Sequence, residues 1–89
     1  MKITVELFGA AREFSKKDFI ELNLLQPSSI KDLKKELVKM IDNKFNGNQN
    51  FKKIVMSSAF CSENDNIVSD NFKIDKKQTF GIIPPVGGG

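Results

Sequence analysis

One stretch of the chain carries an unambiguous helical period, and it constrains everything around it. Ser29 is a good N-cap, and Asp32 sits at the N3 position, where a carboxylate meets the free amides and the positive end of a helix. Ile30, Leu33, Leu37, Met40 and Ile41 then recur at three- and four-residue spacing, which gives a single apolar stripe. Lys31, Lys34, Lys35 and Lys39 fall elsewhere on the cylinder and read as a wet helix face. Asn43 to Asn50, rich in Asn and Gly, reads as helix exit and loop. One helix covers only one face of a sheet, so the other face is left to water or to a partner.

The flanking segments supply that sheet. Lys2 to Phe8 alternates, with Ile3, Val5 and Leu7 on one side and Thr4, Glu6 and Phe8 on the other. After a polar connector, Gly9 to Lys17, the pattern resumes: Ile20, Leu22 and Leu24 share a face, Glu21 and Asn23 oppose them, and Pro27 ends the run. Two strands joined this way predict a hairpin. Phe51 to Cys61 reads as a third strand, with Ile54, Met56 and Phe60 in one parity. Ser62 to Asn66 is turn-like, and Ile67-Val68 is a short edge strand. Asp70 to Lys77 is a polar connection with Phe72 and Ile74 as core anchors. Gln78 to Ile83 is the last strand, with Phe80 and Ile82 inward and Gly81 and Ile83 outward. The order predicts an α+β roll of the ubiquitin type, a mixed sheet of about five strands with one main helix on one face.

Composition narrows the chemistry. At 89 residues the chain makes one domain. It contains no histidine and one cysteine, Cys61, so the usual general base near neutral pH is missing. No disulfide or Cys/His metal site can be assembled within one copy of it. A lone Cys at strand spacing, with no obvious activating neighbour, reads as a small buried or half-buried hydrophobe. The formal charge of +3 comes from dispersed lysines and a single arginine, Arg12, which argues against a nucleic-acid surface. There is no apolar run long enough to span a membrane, and the charged N-terminal alternation lacks a signal-peptide block. The expectation is a cytoplasmic protein with no metal site and no catalytic side chain of its own.

The unusual chemistry sits at the end, Pro84-Pro85-Val86-Gly87-Gly88-Gly89. The prolines cannot donate to a sheet ladder, so they stop the last strand and launch the chain outward as a stiff segment. Three glycines follow, with no Cβ to collide with a narrow channel. Six residues fully extended span about 20 Å, enough to carry a terminal carboxylate into another protein's active site. The expected division is therefore a folded domain over 1–83 and an extended tail over 84–89. Terminal glycines alone are often only a floppy end. Glycines behind Pro-Pro-Val, directly after the last strand of this architecture, are far more specific.

Leu7-Phe8-Gly9-Ala10-Ala11-Arg12-Glu13 and Ile82-Ile83-Pro84-Pro85-Val86-Gly87-Gly88-Gly89 resemble the opening and the ending of the molybdopterin synthase sulfur-carrier (small) subunits, the MoaD family. The helix start, Pro27-Ser28-Ser29-Ile30 through Leu33 and Leu37, also fits. The chain departs from the family's usual Ala-Val-Asn at Ala59-Phe60-Cys61 and from its Gly-Asp turn at Lys77-Gln78. The resemblance implies a ubiquitin-like β-grasp fold and a non-catalytic subunit of molybdopterin synthase. It implies that Gly89 is adenylated by a ubiquitin-activating-like adenylyltransferase, loaded as a thiocarboxylate from a sulfur donor system, and spent on a pyranopterin precursor in the large synthase subunit, as a heterotetramer. ATP and its magnesium would belong to the activating enzyme, with no cofactor held by this chain.

Strand parity places Phe8 and Ile83 together on the helix-free face, because the first and last strands of such folds are neighbours. Exposed apolar side chains beside a functional tail suggest a docking patch, and Arg12 could anchor its rim through a bidentate carboxylate contact. Three other uses of the same tail stay open: a thiazole-type sulfur carrier, a ubiquitin-like protein modifier, and an interaction module whose tail is idle.

Overall fold

The computed structural model describes residues 1–85. Its elements run β1 (Lys2–Leu7), a 3₁₀ turn (Gly9–Phe14), β2 (Phe19–Asn23), β3 (Ser28–Ser29), α1 (Ile30–Lys44), α2 (Gln49–Ser57), β4 (Ala59–Cys61), β5 (Ile67–Val68), β6 (Lys73–Ile74) and β7 (Gln78–Ile83). Five strands form one sheet in the order β2-β1-β7-β4-β5, and β3 pairs separately with β6. β1 runs parallel to β7, and the other pairs in the sheet are antiparallel. This is the α+β roll expected from the alternation, with the predicted β1–β2 hairpin and the predicted edge strand β5.

Alternation decides which side of the sheet is buried. Ile3, Val5 and Leu7 of β1, Phe60 of β4, and Phe80 and Ile82 of β7 are all within 1% of complete burial. They meet Ile30, Leu33, Leu37 and Ile41 of α1, each fully buried. Every such side chain contributes roughly 1.5–3 kcal/mol relative to exposure, so this interface carries most of the fold's stability. Met40, at the margin of the stripe, is only half-buried.

The capping box is formed as predicted. The Asp32 amide donates to Ser29 Oγ at 3.3 Å, and the Ser29 amide donates to Asp32 Oδ2 at 3.0 Å. At the far end α1 runs through Lys44, and the chain leaves it in a left-handed turn. Gly47, at φ +71°, donates its amide to the Ile41 carbonyl, which the Phe45 amide also reaches.

Three expectations fail. Phe51 to Cys61 is not a strand: α2 occupies Gln49–Ser57, and only Ala59–Cys61 is extended. Asn48 caps this helix by accepting from the Phe51 amide at 3.1 Å. Phe51, Ile54 and Val55 follow at helical spacing, while Met56, grouped by strand parity with Ile54 and Phe60, is 61% exposed. The loop expected over Asn43 to Asn50 accordingly shrinks, with helix on both sides of it.

The connector Gly9 to Lys17 is not simply polar either. It holds the 3₁₀ turn, with Ala11 and Phe14 buried. Phe14 packs on Phe51 (ring centroids 5.2 Å apart), which packs edge-on against Phe45 at 5.0 Å. These aromatic contacts tie the turn, α2 and the exit of α1 together.

Lys34 is the third departure. Its side chain is 12% exposed, its ammonium lies 2.7 Å from Asp70 Oδ1, and the same ammonium stands 5.8 Å from the centroid of the Phe60 ring. Of the two expected anchors after Asp70, Ile74 is buried and Phe72 is half-buried, set edge-on to Phe80 at 6.0 Å. No helix among the described residues is long and apolar enough to cross a membrane.

Candidate docking face and tail root

β7 is the central strand, held by β1 on one side and β4 on the other. It is apolar because both neighbours and α1 cover it: Phe80, Gly81 and Ile82 are buried in succession. Directly after it Pro84 is half-buried and Pro85 exposed. The segment that leads to the C-terminal glycines is therefore rooted in the most enclosed strand of the sheet. Val86, Gly87, Gly88 and Gly89 lie outside the described residues.

Pro84 has a specific neighbour. Gly9 takes φ +54°, and a Cβ built on it would stand 3.8 Å from Pro84 Cδ. The left-handed turn at Gly9, which starts the 3₁₀ segment, thus passes close beside the point where the last strand ends.

On the helix-free face the outward residues of β1, β7, β4 and β5 line up by register. Leu7 pairs with Ile82, so Phe8 and Ile83 occupy the next position on the opposite face, and Ile83 pairs with Ala59. Glu6 pairs with Gly81, Gly81 with Cys61, and Cys61 with Ile67. Phe8 (42% exposed), Ile83 (38%) and Ile67 (65%) are three of the exposed large apolar residues of the molecule. This is the juxtaposition that strand parity predicts for Phe8 and Ile83.

The sequence reading missed how Phe8 is seated. Gly81, counted as simply outward, is buried, because Phe8 and Cys61 close over it. A Cβ there would come within 3.0 Å of Phe8 Cε2 and 2.8 Å of Cys61 Sγ. A lone glycine inside a strand is the signal that could have revealed such an approach. Cys61 is half-buried, as expected, and serves as part of this seat.

Beside the apolar row lies a shallow depression bordered by Glu6, Glu63 and Asp65, with Phe8, Cys61 and Gly81 forming its apolar side. The face therefore pairs an apolar strip with an acidic margin, which suits a partner surface with an apolar centre and basic rim. Arg12 lies in the 3₁₀ turn, exposed, and makes no ion pair among the described residues. No group of three or more His, Cys, Asp or Glu side chains converges among the described residues.

No protein-family model matches the chain, and no curated protein matches it. Solved structures do. A candidate molybdopterin converting factor, subunit 1, from Pyrococcus furiosus superposes with a TM-score of 0.68 at 20% identity, over 96% of this chain and 98% of that one. SAMP1 from Haloferax volcanii superposes at 0.70 with 14% identity, and both chains are covered completely. A third likeness is to the complex of subunits 1 and 2 of molybdopterin-converting factor from Helicobacter pylori 26695, with a TM-score of 0.61, 20% identity and full coverage of both chains. At such identities the agreement establishes a shared fold.

Proposed function

We propose that this chain is a ubiquitin-like sulfur carrier, the small subunit of a molybdopterin synthase, with Gly89 as its reactive terminus. The observation that carries the reading is the coincidence of three features at one edge of the molecule. A central strand ends in Pro-Pro, an exposed apolar pair (Phe8 and Ile83) flanks that exit, and the sequence beyond it runs Val-Gly-Gly-Gly. Likeness to structures of molybdopterin converting factor subunit 1 supports it at the level of fold.

The chemistry follows from what a carboxylate lacks. It is a poor electrophile until an activating enzyme joins it to the α-phosphate of ATP, releasing pyrophosphate. Hydrosulfide, or a sulfur donor equivalent to it, then attacks the acyl carbon and expels AMP, leaving the thiocarboxylate. Glycine suits both steps because its unbranched Cα leaves the carbonyl open to attack. The thiocarboxylate sulfur is next transferred to a pyranopterin precursor within the large subunit. This chain contributes reach, docking and the terminal carboxylate, while the ATP site and its magnesium lie on the activating enzyme.

Docking falls to Phe8 and Ile83, with Ala59 and Ile67 extending the strip and Arg12 at the rim. The Helicobacter pylori structure, a complex of subunits 1 and 2, supports a large-subunit partner for a chain of this fold. The domain over 1–83 holds the patch in place, and the segment over 84–89 delivers the terminus.

Intact-mass spectrometry after incubation with an activating enzyme, ATP and a sulfur donor tests the proposal. The expected result is a gain matching exchange of one terminal oxygen for sulfur, lost again on adding the large subunit and precursor. A ladder of isopeptide conjugates would instead make the chain a protein modifier, and an unchanged mass would make its tail idle.

A further inference from the structure

The sheet also has an unpaired edge, at β2. β2 is the terminal strand and pairs only with β1. The hydrogen-bond phase of that pairing is fixed at both ends. The Met1 ammonium donates to the Leu24 carbonyl at 2.8 Å, the Leu24 amide donates to the Met1 carbonyl at 2.9 Å, and the Leu7 amide donates to the Asp18 carbonyl at 2.8 Å. Antiparallel ladders alternate, so Ile20 and Leu22 turn their amides and carbonyls toward β1. Phe19, Glu21 and Asn23 turn theirs outward, and none of the three makes a backbone bond on that side among the described residues. Such an edge is a template for one more strand.

Next to it runs a groove of ≈ 900 Å³ between β2 and the second half of α1. Its apolar floor is formed by Ile20, Leu22, Met40 and Phe45, all half-buried. Those β2 side chains point to the groove while the free backbone groups point along the sheet, so one extended chain can use both. Three cations stand along the groove: Lys16, Lys17 and Lys44. None of them is in an ion pair among the described residues, whereas Glu21 is held 3.5 Å from Lys2. Glu13 is the only other acid lining the groove, so its unpaired charge is positive.

We propose that the β2 edge and its groove bind an extended segment of another protein by strand addition. The segment is apolar at alternate positions, which fill the groove, and acidic where it passes Lys16 and Lys44. Backbone pairing supplies affinity, and the alternate pockets with their charges supply selectivity. A second copy of this chain is a poorer occupant. Two β2 strands meeting about a two-fold axis at mid-strand would set Glu21 against Glu21, like charges directly opposed. β1 stands between β2 and β7, the strand that leads into the tail, so a strand added beyond β2 does not displace the pairing of β7.

The probe is a synthetic dodecapeptide with an alternating Val-Ile and polar centre flanked by Asp and Glu, titrated into the isotopically labelled full chain and followed by amide resonances. The expected result is a set of shifts centred on Phe19, Glu21 and Asn23 and on the α1 turn at Met40, stronger than for a peptide with Lys flanks. Glu21→Pro removes an outward amide while leaving the β1 ladder intact, and should weaken binding about ten-fold or more. Lys16→Glu with Lys44→Glu should weaken it by about as much, with loss of its salt dependence. Both variants should keep the far-UV spectrum of the parent. Shifts confined to Phe8 and Ile83, no shifts at millimolar peptide, or unchanged affinity in Glu21→Pro would overturn the proposal. Concentration-dependent shifts of the β2 amides without peptide would overturn it too, assigning the edge to a second copy.

Discussion

Phe8 sits on Gly81, close enough that a single methyl on Gly81 would meet its ring at 3.0 Å. Gly81→Ala therefore forces out either Phe8 or Cys61, whose Sγ would lie at 2.8 Å. The expected cost is about 1–3 kcal/mol in urea unfolding, the range for overpacking. Shortening the obstructing side chain should relieve it, so Cys61→Ala with Gly81→Ala should recover part of the loss. A double-mutant cycle with no coupling would mean that the two do not compete for space.

Phe8→Asp and Ile83→Asp test the docking strip. Both side chains are more than a third exposed, so the unfolding midpoint should fall little, within about 0.5–1 kcal/mol. Calorimetric affinity for the large subunit should fall about ten-fold or more, as for a desolvated apolar anchor. Equal losses in stability and affinity would make these residues structural.

Deleting Gly88 and Gly89 should abolish thiocarboxylate formation without changing the unfolding midpoint. All the buried core residues described lie between Ile3 and Ile82. A lowered midpoint would show that the tail contributes to the fold.

Ser29→Ala removes the acceptor for the Asp32 amide and should cost about 1 kcal/mol. Ser29→Gly should cost only a few tenths, because the cap backbone tolerates glycine. Thermal or urea unfolding distinguishes the two.

Asp70→Ala leaves the Lys34 ammonium over Phe60 without its counter-ion. The expected loss is about 1 kcal/mol, shrinking at high salt. Lys34→Met should lose less than Lys34→Ala, since its stem still covers Phe60. Equal effects would mean that packing by the stem is negligible.

The strands that flank the core were legible because alternation has one physical reading when one face is buried; β1 obeys it strictly, and β7 departs from it only at Gly81. The stripe of α1 and its cap were legible for the same reason at a different period. α2 was not, because Phe51 to Phe60 satisfies both periods over a short run, and the Asn48 cap hides in an Asn-rich stretch that also resembles a loop. Lys34 was misread because its pairing with Asp70 joins residues 36 apart in sequence, a contact that no local pattern encodes. Phe8 and Ile83 could be placed together from parity alone. Their seat on Gly81 and Cys61 needed the register between β7 and β4, which depends on where the misread third strand begins.

The parallel pairing of β7 with β1 has a mechanical consequence. A pull on Pro84 acts along the axis of a strand matched to β1 at five positions, from Ile3–Gln78 to Leu7–Ile82. Load applied in that direction strains those rungs together, in shear, instead of opening them one after another. A partner can thus draw on the end of this chain and have the tension stop at the sheet.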